Sequence, residues 1–259
     1  MALVVAVGVV ISACSTAPDQ RVVVAAGTTV VDSGFIGAVV DIYRAEGGEA
    51  QISIVGLSTQ QALAYASAGS ADVTITHDRD ALDAFLSARP GVSASPVFSS
   101  RFVLVGPPSL SFQDVTPSGI LRAVASDPIP FVSRDDGSGT HAKELELWSI
   151  AGIDPSNASW YIRTGTGMGA TLQVASARSA VTLAEVGVFF AAADQIDLVV
   201  ISAEDASLDN PYDVAVVAGE DQPLAGAFVT WLLSDRGGRA IEDANEAIFG
   251  TQVYQVPSE

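Results

Sequence analysis

Three short segments of this sequence combine small hydroxyl residues with glycine immediately before a predicted helix. They are 27–34 (GTTVVDSG), 56–59 (GLST) and 133–141 (SRDDGSGTH). The start of a helix leaves backbone N–H groups unpaired and carries a partial positive charge, so it can accept an anion. Serine and threonine hydroxyls add hydrogen-bond donors without formal charge, and glycine lets the backbone approach a ligand closely. Each segment alone is more typical of ordinary helix capping, but three of them predict an anion site if they converge.

Arg134 indicates what kind of anion the site would hold. It follows an apolar strand and precedes the predicted helix that opens at Ser138 and Gly139. Its planar guanidinium can donate two parallel hydrogen bonds to one edge of an oxyanion. The alternative is a surface ion pair with Asp135 or Asp136, which would contribute little to stability. We expect both aspartates to point away from the ligand, where they cap the turn or orient the arginine.

A further glycine-rich turn and the two histidines are weaker candidates. The run Thr166, Gly167, Met168 and Gly169 also precedes a helix, where it either adds backbone donors or lets that helix pack closely. His141 stands at a helix start and can donate to an anion, although a packed or solvent-facing ring is the simpler interpretation. For the other histidine, at position 77 after an apolar strand, the sequence identifies no partner.

Strand and helix patterns alternate along the chain, which predicts an α/β fold of mostly parallel sheets flanked by helices. Predicted strands cover 21–26, 51–55, 72–76, 101–105, 129–133, 198–202 and 212–218. Predicted helices start near 35, 60, 139, 169, 224 and 236, and segment 27–34 is predicted as a turn. Turns at 106–108 and 210–211 predict two hinge crossings between a first lobe (21–107 and 211–259) and a second lobe (108–210). Two such lobes are the plan of the type II periplasmic-binding-protein fold, which closes around its ligand by hinge motion.

Charge and the single cysteine restrict the partners and the location. With 30 acidic and 12 basic side chains the net charge is −18, which makes nucleic acid a poor partner. The apolar run 3–13 ends at Cys14 and has the length of a secretion-signal core, too short to span a bilayer. Its last residues resemble a bacterial lipobox. We therefore expect a signal peptide over 1–13, a lipid anchor on Cys14, a polar tether over 14–20 and an extracytoplasmic, membrane-anchored monomer.

Several segments closely resemble the tungstate-binding proteins of ABC importers. They are 133–148 (SRDDGSGTHAKELELW), 160–176 (WYIRTGTGMGATLQVAS), 210–217 (NPYDVAVV) and 28–34 (TTVVDSG), in the order of that family. The resemblance implies a receptor that binds tungstate or molybdate between its lobes and delivers it to an ABC permease with a cytoplasmic ATPase. It assigns the anion to Arg134, Thr140, Thr28, Thr29, Ser58 and Thr59, to which Ser138 and Gly139 of the same motif are added. The sequence departs from the family pattern at Ala26 and Gly27, where further hydroxyls are common, and at Gln60, where glycine is usual.

Two alternatives remain. A phosphate receptor would also carry an Asp-Gly-Ser-Gly-Thr stretch, and would need a carboxylate such as Asp32 or Asp136 to accept the proton of the ligand. A hydrolase could use Ser138 with His141, but the sequence has no G-x-S-x-G elbow. With one cysteine and two histidines it also lacks a cluster of metal ligands. We therefore expect a binding protein without catalytic residues, metal or cofactor.

Overall fold

The computed structural model describes residues 20–217 and 222–257, which form an α/β protein. The strands in these ranges are β1 (Arg21–Gly27), β2 (Gln51–Leu57), β3 (Val73–Thr76), β4 (Ala94–Gly106), β5 (Phe131–Ser133), β6 (Tyr161–Arg163), β7 (Val181–Glu185), β8 (Val199–Val200) and β9 (Asp209–Val216). The α-helices are α1 (Thr28–Asp32), α2 (Phe35–Ala45), α3 (Thr59–Ser67), α4 (Arg79–Ser87), α5 (Pro117–Ser126), α6 (Gly139–Ala151), α7 (Met168–Ala177), α8 (Val186–Ala192), α9 (Pro223–Leu232) and α10 (Asp235–Phe249). None of these helices is both long and apolar enough to cross a membrane. The predicted signal segment, Cys14 and most of the tether lie outside the described residues.

One long strand joins two halves of the sheet. The strand order is β2-β1-β3-β9-β4-β7-β5-β6, and β8 also pairs with β4. The first part of β4, up to Arg101, pairs with β9, whereas the part from Phe102 onward pairs with β7. We call β2, β1, β3, β9 and the start of β4 the first half-sheet, and the end of β4 with β7, β8, β5 and β6 the second half-sheet. The lobe limits at 107 and 211 remain a prediction. In the structure β4 changes its partner between Arg101 and Phe102, a few residues before the first of these limits.

Both half-sheets have a parallel centre. In the first, β1 pairs in parallel with β2 and β3; in the second, β5 pairs in parallel with β6 and β7. Every antiparallel pair between these strands involves β4 or β9. In open α/β sheets ligands bind beyond the carboxyl ends of parallel strands, where the following helices begin. The segments predicted to bind an anion all lie at such strand ends.

Apolar stripes on the helices hold the layers together. Helix α2 buries Phe35, Ile36, Val39, Val40 and Tyr43, the spacing expected when one face of a helix packs on a sheet. A large core cluster contains these residues together with apolar residues of β1, β3, β5 and α7. It therefore spans both half-sheets. The α/β alternation predicted from the sequence is confirmed.

The segment predicted as a turn over 27–34 contains the short helix α1. Gly27 is extended (φ −52°, ψ 137°), so β1 continues directly into the helix. Val30 is completely buried, which places this helix on the core. Gly34 then adopts φ 80°, a backbone conformation that favours glycine, and α2 starts at the next residue. The prediction was wrong because hydroxyl and glycine residues dominate the segment and mask its one buried apolar position.

Candidate functional site

The starts of α1 and α6 lie on either side of one imidazole ring, that of His77. A Cβ atom added to Gly139, the first residue of α6, would lie 2.5 Å from Cε1 and 2.8 Å from Nε2 of His77. A Cβ added to Gly27, which precedes α1, would lie 3.4 Å from Cδ2 and 3.7 Å from Nε2 of the same ring. Two helix N-termini, one from each half-sheet, therefore converge at this point. A side chain at Gly139 would clash with the ring, whereas a Cβ at Gly27 would make only van der Waals contact with it, so the need for glycine is confined to Gly139.

Strand register places the other predicted segments beside these two helix starts. Gly27 pairs with Leu57 across β1 and β2, so the start of α3 adjoins the start of α1. In the second half-sheet Ser133 pairs with Arg163, so the turn after β6 adjoins Arg134. The three hydroxyl-rich segments and the glycine-rich turn thus lie at the carboxyl ends of neighbouring strands.

Arg134 is buried and held by a network of its own turn. Its Nε and Nη2 donate to Asp136 Oδ2 at 3.0 and 2.5 Å, and its Nη1 donates to Thr140 Oγ1 at 3.2 Å. Only 4% of its side chain is exposed, so the ion pair is not the surface bridge considered as an alternative. A guanidinium has five N–H donors, so two remain without a partner within the described part of the chain. The structure presents an oriented arginine with two donors available.

The two aspartates of this turn have different roles. Asp136 Oδ1 accepts from the backbone N–H of Ser138 at 3.1 Å, while its Oδ2 accepts from Arg134. Burial favours the neutral acid, but Ser138 and Arg134 outweigh it and hold the pKa of Asp136 below its ordinary value. Asp135 adopts φ 48° and points elsewhere, 3.6 Å from His141 Nε2 and 3.7 Å from Arg163 Nε. Asp136 is therefore engaged by its own turn, whereas Asp135 faces His141 and Arg163.

Hydroxyls of the first half-sheet divide into capping groups and available groups. Ser58 forms a capping box, in which its Oγ accepts from Gln61 N at 3.3 Å and its own N–H donates to Gln61 Oε1 at 3.1 Å. Thr59 is 2% exposed, and its Oγ1 has no hydrogen-bond partner among the described residues. Thr29 is equally buried and its Oγ1 lies 3.1 Å from Tyr212 OH. Thr28, beside it, is half-buried at the first position of α1.

The second half-sheet contributes the start of α6 and the turn before α7. Ser138 is the N-cap of α6 and its Oγ accepts from His141 N at 3.3 Å, which is the capping role. Gly167 caps α7 without any side-chain hydrogen bond, so the backbone donors at this helix start are open. The Met168 side chain is buried in the core, and Thr166 Oγ1 lies 3.5 Å from Thr171 Oγ1. From this turn only backbone N–H groups and the Thr166 hydroxyl are suited to face a ligand.

His77 was not among the residues expected to bind the anion. It follows β3 directly, and its Nδ1 lies 2.9 Å from Asn210 Oδ1, while its ring stacks on Tyr212 with centroids 5.1 Å apart. Burial and the positive charges of Arg134 and Lys143 lower the pKa of His77, against the opposing effects of Asn210 and Asp78. The available signal was its position after a buried strand that adjoins β1. Its partner on β9 could not be read from the sequence.

The geometry of Ser138 and His141 does not form a nucleophile and base. His141 Nδ1 accepts from Gly137 N at 3.3 Å and its Nε2 faces Asp135, so neither ring nitrogen bonds Ser138 Oγ. A serine nucleophile requires such a bond to its base. Within the described ranges there is also no group of three or more potential metal ligands. The arrangement is suited to holding an anion by hydrogen bonds and charge.

Comparison with known proteins shows the class of this chain. Residues 14–236 match the protein family described as "PBP superfamily domain", the periplasmic-binding-protein class. The chain is 30% identical over 249 residues to the tungstate-binding protein TupA of Peptoclostridium acidaminophilum, covering 92% of this chain and 86% of that protein. A crystal structure of the tungstate ABC transporter from Geobacter sulfurreducens matches with a TM-score of 0.77 and 30% identity, covering 88% of this chain and all of that one.

A second solved structure, TupA from Desulfovibrio alaskensis, matches with a TM-score of 0.75 and 26% identity, covering 92% of this chain and 99% of that one. The chain therefore belongs to the periplasmic-binding-protein superfamily and, within it, to the TupA type of solute-binding proteins. Both the predicted fold class and the predicted family are confirmed.

Proposed function

We propose that this protein captures tungstate or molybdate between its two half-sheets and delivers it to an ABC importer. The observation that carries the proposal is the convergence of the α1 and α6 starts beside Arg134, an arginine that keeps two donors available. Relatives that carry the tungstate-binding name match over most of the chain and support this ligand class.

Neutral donors make such a site compatible with a strongly acidic protein. The chain has a net charge of −18, and Asp136 offsets the charge of Arg134, so long-range attraction is weak. Helix N-termini and hydroxyls would bind the anion locally instead, because they offer oriented partial charges at short range. We assign the contacts to Thr28, Thr29, Ser58 or Thr59, Arg134, Ser138, Gly139 and Thr140, with backbone donors of 166–169 completing the shell.

The phosphate alternative depends on a carboxylate that faces the ligand. Phosphate carries a proton at neutral pH, whereas tungstate and molybdate are fully ionised and are best served by donors alone. Asp136 already accepts from Arg134 and from the backbone N–H of Ser138, and these bonds hold its pKa below its ordinary value, which makes it a weak acceptor for the proton of a ligand. Asp32, at the end of α1, remains: desolvation raises its pKa, and the nearby charge of Arg134 opposes the rise. Asp32 would favour the phosphate alternative only if its carboxylate accepted the proton of a bound phosphate.

Calorimetric titration with tungstate, molybdate, sulfate and phosphate tests the proposal. We expect tight binding of tungstate and molybdate, and weak or no binding of sulfate and phosphate. In Asp32→Asn, tungstate affinity should be retained or should rise, because one negative charge is removed. Preferential phosphate binding that Asp32→Asn abolishes would establish the alternative, and binding of none of the four anions would refute an oxyanion receptor.

The membrane attachment and the delivery partner are part of the same proposal. Acylation of Cys14 would hold the protein at the outer surface of the cell membrane, near its permease. We propose that it acts there as a monomer, without catalytic activity or cofactor. Metabolic labelling with a fatty acid should modify the full-length wild-type protein and not Cys14→Ser. Equal labelling of the two proteins would exclude Cys14 as the attachment site.

A further inference from the structure

The imidazole of His77 occupies the point where the two helix starts meet. Its Nε2 edge faces Gly139 and Gly27, as the distances from an added Cβ show. Within the described part of the chain Nε2 makes no hydrogen bond, whereas Nδ1 is bonded to Asn210. One nitrogen of the ring is therefore fixed to the protein, and the other is available where an anion would lie.

Asn210 determines which nitrogen carries hydrogen. Its Nδ2 donates to Ser100 Oγ at 3.1 Å and to Tyr212 OH at 3.2 Å, so its Oδ1 faces the His77 ring. An amide oxygen accepts only, so Nδ1 of His77 must donate. In the neutral ring Nε2 then bears a lone pair, which would repel an oxyanion, and only the protonated ring can donate from Nε2.

The same asparagine aligns a second donor. Tyr212 OH accepts from Asn210 and can in turn donate to Thr29 Oγ1, 3.1 Å away. Bonded in this direction, Thr29 keeps its own hydroxyl hydrogen for a ligand. Asn210 thus orients both His77 and Thr29 from β9, on the far side of β3, without touching the ligand itself.

We propose that His77 is a further anion-binding residue, an inference that rests on the proposed function. Its ring takes up one proton from solvent as the anion enters, and Nε2 then donates a hydrogen bond to the anion. Asn210 is then the residue that positions the ring. The added charge makes His77 selective for fully ionised dianions over neutral or weakly charged ligands.

The groups around the ring set the direction of the pH dependence. Asp78 beside it favours the charged ring, while burial and the cations Arg134 and Lys143 disfavour it, so the pKa of free His77 lies below its ordinary value. A bound dianion adds negative charge and raises that pKa. Between the free and the bound pKa values each anion brings one proton, so affinity falls by up to about tenfold per pH unit as pH rises. Above the bound value the uptake ceases.

Calorimetry in two buffers of different ionisation heat counts these protons directly. For the wild-type protein titrated with tungstate between about pH 6 and about pH 8, where histidine titrates, we expect an uptake that approaches one proton per anion. His77→Gln retains a donor of similar reach but cannot titrate, so it should bind tungstate with no uptake in this range. His141→Gln, which alters the other histidine of the chain, is the matched control and should keep the uptake.

Wild-type binding without proton uptake would overturn the inference and needs no variant. Uptake that persists in His77→Gln, or disappears in His141→Gln instead, would assign the proton to another group such as Asp32 and would also overturn it. Circular dichroism confirms that each variant is folded. If tungstate fails to bind to the folded wild-type protein, the proposed function fails, which differs from binding without a proton.

Discussion

Replacing Arg134 by alanine removes the side chain that we expect to hold the anion from the second half-sheet. The two guanidinium N–H groups left free by Asp136 and Thr140 would each form a charge-assisted hydrogen bond with the ligand. Such bonds contribute about 1.5–3 kcal/mol each. The Asp136 carboxylate weakens the Coulomb attraction but leaves these two bonds, so Arg134→Ala should weaken tungstate binding at least about tenfold, or about 1.4 kcal/mol.

The variant also leaves the Asp136 carboxylate without its cation, which adds repulsion to the loss of the donors. Arg134→Ala combined with Asp136→Asn separates the two effects, because the double variant lacks both charges. We expect the double variant to recover part of the affinity and of the melting temperature, but not the wild-type affinity. Isothermal titration calorimetry measures the affinities, and thermal unfolding monitors the fold.

An affinity that is unchanged in folded Arg134→Ala would refute the reasoning and remove Arg134 from the site. Full recovery in the double variant would show that the arginine acts only by neutralising the carboxylate. In that case the donors of the helix starts alone would bind the anion.

Four further predictions concern single residues of the site and the core. Gly139→Ala should reduce tungstate affinity at least about tenfold, because its Cβ would lie 2.5 Å from a ring atom, whereas Gly226→Ala, with nothing within 4 Å, should bind normally in the same titration. Ser58→Ala should lower the free energy of unfolding by about 1 kcal/mol through loss of the cap, with little change in affinity. Thr59→Val should weaken tungstate binding while denaturant unfolding changes little, because the hydroxyl it removes has no protein partner. Burial raises the pKa of Glu144 from 4.5 to about 7. The free energy of unfolding of the wild-type protein should therefore fall by on the order of 3 kcal/mol as pH rises through that window. Denaturant titrations at several pH values should show that Glu144→Gln removes most of this fall.

Local patterns predicted much of the fold. The α2 stripe from Phe35 to Tyr43 and the β1 and β2 strands have periodicities that depend on neighbours in the sequence, and they are found as expected. The turn around Arg134 was also located correctly between a strand and a helix. These features depend on backbone preferences and on burial of one face, both of which can be read from a short window.

Long-range contacts explain what the sequence could not provide. His77 lies 133 positions from its partner Asn210, and no local pattern connects them. Glu144 is an acidic residue on a helix, yet its side chain is buried. Tyr161 OH donates a hydrogen bond to Glu144 Oε1 at 2.5 Å, and this pairing depends on how α6 lies against β6. The capping role of Ser58, by contrast, is local: Gln61 stands three residues later, and the Ser-x-x-Gln pattern of a capping box is visible in the sequence.

Strand β4 has a consequence for how the molecule loses its structure. β4 pairs with β9 up to Arg101 and with β7 from Phe102 onward, so it belongs to both half-sheets. Unfolding of one half-sheet would therefore disrupt the strand on which the other half-sheet is built. The apolar cluster that spans both halves adds to this dependence. Heating should therefore produce one calorimetric transition for the whole chain, with equal calorimetric and van't Hoff enthalpies.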